Sequence, residues 1–66
     1  MNFTHLEPPA DFIEGNRACI DLLLERHPDK SEQVVAKALW IAQALSEDPN
    51  RQRIVAAASM ALDQEV

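Results

Sequence analysis

Apolar residues recur at helical spacing in three successive stretches of this chain, and prolines rather than glycines separate them. Placed at about 100° per residue, Phe12, Ile13, Cys19, Ile20, Leu23 and Leu24 share one stripe of the first stretch, with Glu14, Arg17, Asp21 and Glu25 on the opposite side. In the second stretch the stripe is Val34, Val35, Ala38, Leu39, Ile41, Ala42 and Leu45, and in the third it is Ile54, Val55, Ala58, Ala61 and Leu62. Packing these stripes against one another gives the predicted core. The alanines of the third stretch, Ala57 beside the stripe included, allow another helix to approach closely.

Local chemistry sets the boundaries. Pro8 and Pro9 can open a helix because N–H groups of a first turn have no intrahelical acceptor, and Asp11 and Glu14 suit the positive end of that helix. Pro28 stops it, since the residue before a proline is driven out of the α region. Asp29 is the predicted N-cap of the second helix, with Glu32 closing a capping box. Asp48 and Pro49 repeat the device as cap and first residue of the third. The predicted helices are therefore about 9–27, 30–46 and 49–63: an all-α fold, either a small three-helix bundle or a helical hairpin plus a third helix, and open to dimerisation. Residues 1–66 read as a single helical domain, with 1–7 an N-terminal arm whose Phe3 and Leu6 either dock across the bundle or stay mobile.

With 66 residues there is room for one core, and conformational entropy opposes folding by about 1.5 kcal/mol per ordered residue, so self-association or a stable partner is expected. The single cysteine forms no internal disulfide, and no Cys/His set has zinc-site spacing. No apolar run reaches the roughly 18–20 residues that span a bilayer, and the N-terminal residues lack the pattern of a signal peptide, so the expected location is cytoplasmic. A net charge of −5 disfavours direct contact with nucleic acid or an anionic membrane and favours basic protein surfaces.

Several residues break the pattern. Trp40 falls among Gln33, Ala36, Lys37, Ala44 and Glu47, away from Ile41 and Leu45, and Leu22 and Met60 also miss their stripes. A tryptophan off the core stripe points to an interface, because aromatic side chains are enriched among binding hot spots. The competing readings are cover by the N-terminal arm or burial of the second helix on two sides. The candidate interface is therefore Trp40, Lys37, Leu22 and Met60, with Glu14, Asp21 and Glu25 as an acidic face. Conversely, Asn16 and His27 lie inside the first stripe. Asn16 suits a rim position or a seam that fixes register, and His27 suits the C-terminal end of its helix.

Chemistry finds little support. Cys19 and His27 are eight residues apart on one helix, about 12 Å, too far for a nucleophile and its base, and Cys19 reads as a small core residue. His5 and Glu7 are too isolated for a metal site. Glu14, Asp21 and Glu25 read as a solvated face partly neutralised by Arg17 rather than as paired catalytic acids. No phosphate loop, nucleophile elbow or metalloprotease motif occurs, so no catalytic, cofactor or metal residue is expected.

The expected function is that of a non-catalytic protein-protein interaction module: a small acidic regulator, inhibitor or adaptor that docks on a larger protein or on its own copy. Size and charge also fit the phage and mobile-element products that block host enzymes, CRISPR inhibitors among them. The alternatives are a helix-turn-helix-like DNA-binding regulator, with Arg51 and Arg53 at the start of its second helix, and a structural subunit of an obligate homodimer.

Overall fold

The proline-punctuated stretches do fold as helices, and the first is broken in two. The computed structural model describes residues 7–64, which form α1 (Ala10–Gly15), α2 (Arg17–Arg26), α3 (Glu32–Leu45) and α4 (Arg51–Gln64). The structure is all-α among the described residues. The expected N-terminal arm, with Phe3, His5 and Leu6, lies outside them apart from Glu7.

The break falls at Asn16, with φ −120° and ψ 24°. Its side-chain amide donates to the Phe12 carbonyl at 2.8 Å, and its backbone N–H reaches the same carbonyl at 3.0 Å. Glycine and asparagine are weak helix formers, and an asparagine amide competes with the backbone for acceptors, so Gly15-Asn16 is where one helix becomes two. The half-buried amide is thereby satisfied within its own helix turn. Gly15 itself is not required for the bend: its φ is not positive, and a Cβ there would meet nothing within 4 Å. Gly15→Ala should therefore stabilise the protein by about 0.5–1 kcal/mol, read as a higher urea midpoint. A lower midpoint would show that the bend needs the freedom of glycine.

The later helices start slightly beyond their predicted caps. Ser31, not Asp29, caps α3 by accepting the Val34 N–H at 3.2 Å. Before α4, Ser46 Oγ donates to the Asp48 carbonyl at 2.8 Å, and Asp48 Oδ1 accepts the Asn50 N–H at 2.9 Å. Asn50 Oδ1 then accepts from Gln52 N–H at 3.0 Å, so Asn50 takes the capping role expected of Asp48. Short polar side chains bonding to nearby backbone hold this tight turn.

The core consists of Ile20 and Leu23 from α2, Val35, Ala36 and Leu39 from α3, and Ile54, Val55, Ala58 and Leu62 from α4. Phe12, Ile13, Cys19, Leu24, Ala38 and Ala42 pack half-buried around it. Fully buried Ala58 removes bulk from α4, in the most extensively paired helix couple, α3 against α4. The radius of gyration, 10.9 Å, agrees with the roughly 10–11 Å expected of one compact unit this size.

One stripe is turned from its predicted direction. The buried arc of α3 is centred on Leu39 and takes in Ala36, which is 0% exposed, with Trp40 half-buried at its edge. Val34 is 37% exposed and Leu45 72%, so both leave the predicted core. Ala61, assigned to the third stripe, is exposed as well.

Candidate docking surface

Rotation of α3 leaves half of its apolar residues facing a groove. Val34, Ala38, Ile41 and Leu45 form one wall, and Ala57 and Ala61, one turn apart on α4, form the other. The groove encloses about 730 Å³. Its depth on the α4 side follows from sequence, because alanines there leave room that larger residues would fill. Among the described residues Lys37 is the one ionisable group in the lining, and it makes no ion pair with another of them.

The other candidate residues do not converge on this groove. Trp40 lies on the Ala36 side of the α3 core face, whereas the groove opens on the Ala42 side, as their helical angles require. Exposed Met60 stands on α4 next to Ala61. Leu22 lines a shallow cleft with Arg26, Arg51 and Val55 between α2 and α4. Glu14, Asp21 and Glu25 are exposed along α1 and α2. The acidic face is thus separate from the apolar groove.

Arg17 does more than neutralise its own helix. Its guanidinium donates to Glu32 at 2.7 Å, tying α2 to the start of α3, and reaches Asp21 at 3.5 Å. The hydrogen bond from Arg17, helped by its charge, holds the Glu32 carboxyl below the ordinary glutamate value of 4.5, and the same bond raises Arg17. A carboxyl depressed in the folded state stabilises the fold above its unfolded pKa and loses that effect as pH falls through the folded one. The stability difference between wild type and Glu32→Gln should therefore be present at neutral pH and vanish below the carboxylate range, measured by urea unfolding across pH. A difference that survives in acid would contradict the ion-pair account. Both groups are exposed, so the effect is small.

His27 closes α2 and is 6% exposed. Its Nε2 lies 2.9 Å from Ser59 Oγ, and its Nδ1 lies 3.5 Å from Asp63 Oδ1, both on α4. The order serine, histidine, aspartate is that of a hydrolytic triad, but Ser59 sits well inside α4. The N–H groups around it are therefore committed to the helix ladder and cannot cradle an oxyanion. The trio acts as a clasp between the end of α2 and the last turns of α4. Neither Ser59 nor Asp63 could have been matched to His27 from spacing, because the contact is long-range.

Arg51 and Arg53, in the first turn of α4, are both exposed. Arg53 pairs with Asp48 at 3.1 Å, and Arg51 lies near Cys19 and Ile54 beside α2. Among the described residues no group of three or more His, Cys, Asp or Glu converges as metal ligands would, and no helix is long and apolar enough to cross a membrane. The chain matches no protein-family model, and comparison with curated proteins and with solved structures found no match.

Proposed function

We propose that this protein is a non-catalytic interaction module, an acidic regulator, inhibitor or adaptor that acts by docking on another polypeptide. The observation that carries this reading is the α3–α4 groove. A chain that spends Val34, Ile41 and Leu45 on a surface, while it buries alanine at 36 and 58, gains nothing from them in its own core. Covering that surface by another chain is what recovers the hydrophobic stabilisation, and steric occlusion is the mechanism that needs no further chemistry. The separate acidic face, Glu14, Asp21 and Glu25, steers encounters with basic surfaces, an effect mainly on association rate. Half-buried Trp40 flanks the core of α3 and serves as a second contact rather than the central anchor.

A photo-crosslinking side chain placed at position 45 tests the reading, with position 25 as comparison. In source-cell lysate, the groove position should form an adduct with one discrete polypeptide, whether another copy or a different chain. Adducts equal in pattern at both positions, or none at position 45, would remove the docking surface.

A further inference from the structure

We propose that the occupant of the α3–α4 groove is a second copy of this chain, paired antiparallel along α3 about a two-fold axis. This rests on the docking reading above and names the partner.

The spacing carries the argument. Val34, Ala38, Ile41 and Leu45 are separated by steps of four, three and four residues, the spacing of a coiled-coil seam, and all four fall within an arc of about 60° over about 16 Å of helix. The series reads the same in both directions. An antiparallel copy therefore sets Val34 against Leu45 of the second copy and Ala38 against Ile41 of the second copy, and the two-fold axis repeats both layers. Each layer matches a smaller side chain with a larger one, the complementarity an isologous interface requires. Ala57 and Ala61 on α4 leave space for the incoming helix.

Charge favours the same face. The chain carries eleven acidic residues and a net charge of −5, so most approaches between two copies are repulsive. Among the described residues no carboxylate lines the groove, so pairing groove to groove avoids that repulsion between acidic faces.

Light scattering during gel filtration of the purified full chain tests the proposal. The expected mass is twice the chain mass of 7.4 kDa at micromolar concentration and above. Leu45→Glu and Val34→Lys, both at exposed positions and so compatible with folding, should each raise the dissociation constant by about 100-fold or more, with helicity unchanged by circular dichroism. An equimolar mixture of the two variants should recover the doubled mass, because antiparallel pairing opposes Glu at 45 with Lys at 34. A mixture that stays monomeric overturns the antiparallel register, as does a dimer indifferent to both substitutions.

A wild type that remains monomeric throughout overturns the second copy, and an apolar naphthalene sulfonate dye then separates the two readings. Dye bound by wild type and lost in Leu45→Glu leaves the docking surface standing without a second copy. Dye bound by neither, nor after Phe3→Ser and Leu6→Ser, removes both. Dye bound only after Phe3→Ser and Leu6→Ser identifies the chain's own N-terminal residues as the cover, which also overturns the second copy.

Discussion

Leu39→Ala should cost the monomer about 2–5 kcal/mol, whereas Leu45→Ala, the same chemical change on the same helix, should alter it by about 0.5 kcal/mol or less. Leu39 is 2% exposed and packs within the core cluster, so truncation removes its transfer free energy and leaves a cavity that rigid neighbours fill incompletely. Leu45 is mostly in water already, and its loss opens no cavity. At roughly 0.05–0.15 kcal/mol per residue, a 66-residue chain has only about 3–10 kcal/mol of total stability, so Leu39→Ala brings it close to unfolding. Urea unfolding followed by circular dichroism at high dilution measures both. Equal losses would mean that α3 packs in the orientation of its widest apolar stripe and that the groove does not exist. Any loss that Leu45→Ala shows at higher concentration should grow with concentration, since it then acts on the paired state.

That pair of leucines also marks the limit of the sequence reading. Periodicity and proline punctuation located the helical stretches to within a few residues but read α1 and α2 as one helix, and the α2 stripe faces the core as predicted. On α3 the apolar positions cover too wide an arc for one packing face, and periodicity alone does not say which part is turned inward. Off-stripe Trp40 was the available signal: a half-buried tryptophan on the Ala36 side pulls the buried arc toward itself and releases Val34, Ile41 and Leu45. Proline punctuation located the turns but not the caps, because Ser31 and Asn50 offer the same side-chain acceptors as Asp29 and Asp48. The kink at Asn16 was legible only as a weak helix former inside a stripe.

The two anomalous polar residues of the first stripe have different physical solutions. Asn16 satisfies its amide within its own turn and breaks the helix in doing so. His27 finds its partners 32 and 36 positions away on α4, which no local pattern encodes. The first is a local device that shapes the passage from α1 into α2, and the second is a tertiary device that registers α2 against α4. Neither lies in the α3–α4 groove, where Lys37 is the one ionisable group among the described residues.

Ser59→Ala should cost more than its size suggests, about 1–3 kcal/mol, because it leaves Nε2 of buried His27 without its partner. With Nδ1 protonated, the ring faces Asp63 with that N–H and accepts the Ser59 hydroxyl proton at Nε2, so removing the hydroxyl orphans a buried acceptor. His27→Leu acts differently. It replaces the ring with an apolar side chain in an apolar setting, and the Ser59 hydroxyl can turn to a carbonyl one turn back along α4. The double variant, His27→Leu with Ser59→Ala, should therefore recover most of the loss caused by Ser59→Ala alone. Asp63→Asn should matter little, since Asp63 is largely exposed and its 3.5 Å approach to His27 Nδ1 is long for a hydrogen bond. Urea unfolding of the two single variants and the double variant gives the coupling between His27 and Ser59 directly. Additive losses would show that the contact is incidental and that α2 is registered on α4 by Ile20 and Leu23 alone; strong coupling would make the clasp the polar determinant of that register.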